Sequence, residues 1–184
     1  MINNFPNPAN DYSAWREATD TTDFPSFVEL LCAIRNAIGF EPRRIFDFGY
    51  GWGISQCLWL TSFENAEVVC CDPLGQGGYA GCDPVSKLPQ SCLDRWTFIQ
   101  DPAEDVLITD IDPFDFIFVD ADHGFLSTLS QVKLSWEKLE PGGVMAGHDW
   151  FYKDVQGAVN EFMLGRMLRG DIWDIDNGGW MVRK

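Results

Sequence analysis

Apolar and polar positions follow two periods along this chain. Short runs with apolar centres, "RRIFDFG", "AEVVCCD", "RWTFIQD", "FDFIFVD" and "VMAGHD", carry no polar alternation, which marks strands covered on both faces. Between them lie segments of helical period. In "DFPSFVELLCAIRNAIG" the residues Phe27, Leu30, Leu31, Ile34 and Ile38 make one stripe, with Gly39 placed as a C-cap. "ISQCLWLTSF", "AEDVLI", "FLSTLSQVKLSWEKL" and "VQGAVNEFMLGRML" supply further helices, and "EPGG" stops one of them before the strand "VMAGHD". "DIWDID" and "GWMVRK" flank Asn177, Gly178 and Gly179 as a closing hairpin. Strands alternating with helices predict an α/β fold, a doubly wound, mainly parallel seven-stranded sheet with a C-terminal antiparallel hairpin.

With 184 residues, 46% of them hydrophobic, the chain has the size and apolar content of a single domain, 1–184. Two segments stand apart from the alternating pattern. Residues 1–23 are polar and read as an N-terminal arm, packed by Phe5, Tyr12 and Trp15 if at all. Residues 73–94, "PLGQGGYAGCDPVSKLPQSCLD", form a long loop that is either a lid or substrate surface, or a disordered elaboration. The start has neither a basic n-region nor an apolar h-region, and no stretch approaches the ~18 apolar residues of a membrane span. The expectation is a soluble, cytoplasmic protein.

Charge narrows the partners. Thirteen basic against 28 acidic residues give a net charge of −15, which opposes nucleic acid and anionic membranes and favours a small neutral or cationic substrate. Homo-oligomerisation is left open. Cysteines at 32, 57, 70, 71, 82 and 92 include no CxxC pair, and the adjacent Cys70 and Cys71 point to opposite faces of a predicted strand. They read as reduced thiols packed as small hydrophobes.

The chemistry starts at "IFDFGYGWG", residues 45–53. A dinucleotide fingerprint, GxGxxG, fails in both frames, because its third glycine would fall on Ile54 or Gln56. That leaves a nicotinamide oxidoreductase as a distant reading. Asp47, Gly49, Gly51 and Gly53 spell DxGxGxG instead, and here the chain resembles the class I S-adenosylmethionine-dependent methyltransferases over roughly residues 41 to 184. The resemblance implies a Rossmann-like fold with S-adenosyl-L-methionine as cofactor. It puts Asp47 near the cofactor's amino group and the backbone of Gly49, Tyr50, Gly51 and Gly53 under its methionine part. It also gives Asp72, at the end of the second strand, the ribose hydroxyls, and Asp101, after the third, the adenine amino group.

Ligands in doubly wound sheets sit beyond the carboxyl ends of the strands. Asp120, Asp122 and His123 gather after the fourth predicted strand, and His148 with Asp149 end the fifth. Asp120 and Asp149 offer hard oxygen ligands suited to Mg²⁺, and a bound cation would lower the pKa of a substrate hydroxyl. "VDADHGF" and "LEPGGVMAGHDW" resemble the branch of the family that holds sugar and macrolide O-methyltransferases. That resemblance makes Asp120 a metal ligand at the chemistry, His123 a general base and Asp149 a second ligand. His148 stands where some members have an acid, as a third candidate ligand that suits Zn²⁺, Mn²⁺ or Fe²⁺ as readily. Spacing leaves open a turn-bridging His123, an N-capping Asp122 and a structural, half-buried His148. Trp52, Trp59, Trp136, Trp173 and Trp180 read as core or edge packing. Trp150, Phe151 and Tyr152 are candidates for an aromatic platform facing substrate. A hydroxyl-methylating enzyme is the leading reading; metal-free N- or carboxyl-methylation and a non-catalytic cofactor-binding module are the alternatives.

Overall fold

The computed structural model describes residues 12–19, 24–76, 83–165, 172–175 and 177–184. Five apolar runs form parallel strands: β1 (Arg44–Phe48), β2 (Glu67–Cys71), β3 (Trp96–Ile99), β4 (Phe114–Val119) and β5 (Leu139–Gly147). The hairpin adds β6 (Trp173–Ile175) and β7 (Gly179–Arg183), and the sheet order is β3-β2-β1-β4-β5-β7-β6. Only the β5–β7 and β7–β6 pairings are antiparallel, as the alternating pattern predicts. Order reverses between β2-β1 and β4-β5, so a crevice opens above β1 and β4 at the carboxyl edge.

Each strand serves two cores. On one face, Ile45, Val68, Cys70, Phe116, Phe118 and Met181 pack with α2 (Pro25–Ile38) and α3 (Ile54–Ser62). Trp15, from α1 (Tyr12–Thr19), joins that cluster. On the other, Phe46, Phe48, Cys71, Ile117 and Val182 meet α5 (Ala103–Leu107), α6 (Phe125–Lys138) and α7 (Lys153–Gly165). Cys70 and Cys71 therefore do face opposite cores, and none of the described cysteines is in a disulfide. Cys82 and Phe5 lie outside the described residues.

Two expectations change. "EPGG" does not end at a strand boundary: α6 stops at Lys138, and Leu139 already pairs with Phe114. The next pair is Phe116 with Val144, so Glu140–Gly143 bulge out of β5. Gly143 is fixed there because a Cβ would stand 2.9 Å from the carbonyls of both Asp115 and Glu140. The described part of 73–94 is also more structured than a bare loop, with a 3₁₀ turn at Val85–Lys87 and a single-turn helix, α4, at Gln90–Leu93. Residues 77–82 lie outside the described residues. No described helix is long and apolar enough to cross a membrane.

Candidate active site

β1 ends in Asp47 and Phe48, and the next five residues make the turn into α3. Gly49, Gly51 and Gly53 all have left-handed φ, at 82°, 51° and 73°, a conformation costly for any side chain. Their reasons differ. A Cβ on Gly49 would stand 2.9 Å from the carbonyl oxygen of Asp120, and one on Gly53 would strike Pro84 at 2.6 Å. A Cβ on Gly51 would meet nothing within 4 Å. Two of the glycines thus let protein segments close on the turn, and only Gly51 leaves space for a ligand.

Asp47 is fully buried beneath this turn. Its Oδ2 accepts the indole N–H of Trp59 at 3.0 Å, while Oδ1 has no hydrogen-bond partner among the described residues. Burial, reinforced by the charge of Asp120, holds its carboxyl well above the usual range despite the opposing pull of Ser55, Trp59 and Gln56. A buried, partnerless carboxylate oxygen is costly unless a cationic group reaches it. A carboxyl that holds its proton in the fold after the unfolded chain has released it gives stability that is greatest below about pH 4. That contribution declines as pH rises from there toward the folded pKa. Asp47→Asn should therefore raise the melting midpoint of the ligand-free protein at neutral pH, by about 2–4 °C per kcal/mol regained, and weaken cofactor binding. Calorimetric melting and titration with S-adenosylhomocysteine measure both; a lower midpoint with unchanged affinity would contradict the assignment.

Gln56 occupies the position where a dinucleotide fold would have glycine. It is wholly buried, and its Nε2 donates to the carbonyl of Gly49 at 2.9 Å. Tyr50 ties the turn to its surroundings three ways. Its N–H donates to Asp72 Oδ2 at 2.8 Å, its carbonyl accepts from Gly53 N–H at 2.7 Å, and its hydroxyl donates to Asp83 Oδ1 at 2.6 Å. Its ring is buried beside Trp96 and Phe98, so Tyr50 offers a ligand little more than its main chain. Asp72 also accepts Leu74 N–H on Oδ1 at 2.8 Å. One lone pair of each oxygen is spent on backbone, and one remains on each for a diol. Asp101 lies exposed between β3 and α5.

The ends of β4 and β5 bring the remaining candidates together. His123 Nε2 stands 2.6 Å from Asp149 Oδ2, and His148 Nδ1 stands 3.5 Å from that oxygen and 3.6 Å from Asp120 Oδ1. At 2.6 Å a proton must lie between His123 Nε2 and Asp149 Oδ2, because two facing lone pairs would repel. Asp120, His123 and Asp149 each present a ligand atom within 4.8 Å of the others. Burial works against a charged His148, but the Asp120 and Asp149 carboxylates raise its pKa above the usual 6.5. Burial likewise raises the Asp149 carboxyl. Asp149 is also one of two non-glycine residues with positive φ, 58°, among those described; such strain is retained where the fold over-determines it, often at functional sites.

Other placements differ from expectation. Asp122 does not cap α6: Gly124 is the N-cap, and Asp122 Oδ1 accepts the Gly124 N–H at 2.9 Å, closing the turn before the helix. Trp52 is no core residue; it is 40% exposed and lines the cleft, whereas Trp59, Trp136 and Trp180 are buried. Trp150 packs against Trp180 rather than toward substrate. Phe151 and Tyr152 stand exposed at the rim, with Tyr152 stacked on His123 at 5.4 Å. A cleft of about 310 Å³ is lined by the turn and Ser55, by Phe24, Ser26 and Phe27 at the start of α2, and by Asp120, His148 and Asn177, while His123 and Asp149 stand outside its lining. The α2 residues and Asn177 escape sequence reasoning because nothing local links them to the motif. Gln56 carried a faint signal, an amide inside the apolar stretch of α3.

Strand order, glycine turn and strand-end acids define a class I S-adenosylmethionine-dependent methyltransferase. The methyltransferase domain family matches residues 46–150, and the chain belongs to it. No curated protein sequence matches the chain. Among solved structures it is similar to the S-adenosylhomocysteine-bound methyltransferase PaMTH1 of Podospora anserina, with 21% identity and a TM-score of 0.65 over 94% of this chain and 83% of that one. It is also similar to an O-methyltransferase from Bacillus cereus in complex with S-adenosylhomocysteine, with 17% identity and a TM-score of 0.61 over 100% and 94%. The O-methyltransferase NovP aligns at 17% identity and a TM-score of 0.60 over 87% and 80%.

Proposed function

We propose that the chain, acting as one methyltransferase domain, methylates a hydroxyl oxygen of a small molecule at the mouth of β4 and β5, with a divalent cation at the acidic residues. The observation that carries this reading is the convergence of Asp120, His123, His148 and Asp149 at the ends of β4 and β5, with Asp120 and His148 also lining the cleft beside the glycine turn. S-adenosylmethionine, when bound, supplies an electrophilic methyl group. The partnerless Asp47 Oδ1 and the open side of Gly51 suit its amino group and methionine chain. Asp72 suits the ribose, and Asp101 is proposed for the adenine. Two carboxylates with imidazole nitrogens in reach fit a divalent cation, which would acidify a bound hydroxyl. Asp120, Asp149 and His148 are the proposed ligands.

The protein's own work is alignment and proton removal. In the neutral tautomer that gives Nε2–H to Asp149, the other ring nitrogen of His123 offers a lone pair to the proton of the acceptor hydroxyl. The O-methyltransferase names of the Bacillus cereus protein and NovP support oxygen as the target. A second reading has its own observation: His123 joins Asp120 and Asp149 in a trio whose ligand atoms all lie within 4.8 Å of one another, which would make it a ligand. His123→Ala separates the two. Loss of turnover with retained Mn²⁺ affinity marks a base, and loss of both marks a ligand. Exhaustive chelation is expected to remove most turnover and added Mg²⁺ or Mn²⁺ to restore it; full activity in chelator would eliminate the cation. The function itself is tested by S-adenosylhomocysteine release with hydroxylated acceptors. Transfer to amines or carboxylates alone would overturn it. A soluble cytoplasmic setting is part of the same proposal.

A further inference from the structure

The wall of the cleft is divided by chemistry. Its lining combines two kinds of surface: the main chain of the glycine turn with Ser55 and Asp120, and the rings of Phe24, Phe27, Trp52 and His148, together with Asn177. These rings touch one another: Phe24 and Trp52 lie 5.4 Å apart, and Phe27 and His148 5.0 Å apart. Phe151 continues the series at 6.0 Å from His148. Flat apolar faces of this kind hold a ring by stacking and edge contacts. Asp72 and Asp101 do not line this space, so a nucleoside bound to them lies outside it, and the acceptor shares the cleft with the methionine chain over Gly51.

Charge is divided too. No lysine or arginine lines the cleft among the described residues. Arg43, Arg44, Arg183 and Lys184 lie at the opposite, amino edge of the sheet, because β1 begins and antiparallel β7 ends there. Lys87 and Lys153 are exposed and outside the lining. The carboxyl edge carries Asp120 in the wall and Asp149 beside it. Among the described residues, a phosphate or carboxylate on the acceptor would find no guanidinium or ammonium partner in the cleft lining.

From these two divisions we infer that the cleft selects a small hydroxylated ring that is neutral or amine-bearing, and rejects acceptors carrying a carboxylate or phosphate. The inference rests on the hydroxyl-methylation reading and adds the acceptor class. Four phenols of similar shape test it: 4-ethylphenol, tyramine, 3-(4-hydroxyphenyl)propionate and 2-(4-hydroxyphenyl)ethyl phosphate. Affinity is measured on protein saturated with S-adenosylhomocysteine in EDTA, so that no cation recruits the anions, and methyl transfer is followed separately with Mg²⁺. The neutral and amine compounds are expected to bind at least about tenfold more tightly than the two anions, with a gap that narrows at high salt. Ser26→Lys, in the cleft wall, should raise anion affinity and close much of the gap. Phe24→Ala should weaken all four compounds alike. Equal or reversed affinities, binding of none of the four, or a gap insensitive to Ser26→Lys would overturn the inference. Ordered binding with no methyl transfer would leave it standing and remove the hydroxyl-methylation reading instead. Methyl transfer together with equal affinity for all four in EDTA would do the reverse.

Discussion

Asp149→Asn is expected to lower kcat/KM by about a hundredfold to ten-thousandfold while leaving the protein folded. Asparagine tolerates the left-handed backbone that Asp149 adopts at φ 58°, so the turn after β5 survives. Burial already holds this carboxyl above its usual pKa, and its replacement removes a desolvated charge rather than a stabilising one. The chemistry loses more. Asp149 Oδ2 is the atom that His123 Nε2 approaches at 2.6 Å and His148 Nδ1 at 3.5 Å. An amide there neither holds the imidazole's proton firmly nor offers a charged ligand. Single-turnover methyl transfer beside a thermal melt decides the matter, and wild-type rates in the variant would leave Asp149 without a role in the chemistry.

Gly49→Ala and Gly51→Ala should fail in different ways, although both sit in one motif with left-handed φ. Each change costs about 1–2 kcal/mol from the backbone alone. At Gly49 the new methyl would also stand 2.9 Å from the Asp120 carbonyl, so main chain must move, and the total loss is expected to be about 2–4 kcal/mol. The strand-end segment that presents Asp120 moves with it, and turnover should collapse at saturating cofactor. At Gly51 the methyl meets no protein atom within 4 Å. Stability should fall only by the backbone cost, while affinity for S-adenosylhomocysteine drops steeply because the methyl enters ligand space. Denaturant melts and cofactor titration on both variants separate the outcomes. Similar stability and similar affinity in the two would contradict the division of labour within the turn.

Much of the architecture was legible because parallel strands buried on both faces need apolar residues at every position, and such runs are conspicuous. The glycine turn was legible for a related reason: left-handed backbone favours glycine, as at Gly49, Gly51 and Gly53, so chain geometry leaves a mark in the letters. What the marks meant was less visible. Gly49 and Gly53 answer to the Asp120 carbonyl and to Pro84, contacts between segments distant in sequence. The bulge at Glu140–Gly143 read as a helix stop because Pro-Gly-Gly serves both purposes, and only pairing with β4 decides between them. Trp52 and Trp150 exchanged their expected roles, since a tryptophan's burial depends on what the fold sets opposite it.

The candidate site divides along the same line. Residues whose place follows from ending a strand, Asp47, Asp72, Asp101, Asp120 and Asp149, were found from the order of elements alone, because chain direction sends every parallel strand's end to one edge. Which of them touch, and which nitrogen of which histidine meets which oxygen, depended on twist, register and the strained turn at Asp149. The cleft wall depended on tertiary structure entirely: Phe24 and Phe27 arrive from the start of α2 and Asn177 from the hairpin. The sequence determined the sheet, the glycine turn and the strand-end acids, since each is written in a local period or a backbone constraint. The shape and charge of the space above them are sums over segments far apart in the chain, and no local pattern contains such a sum.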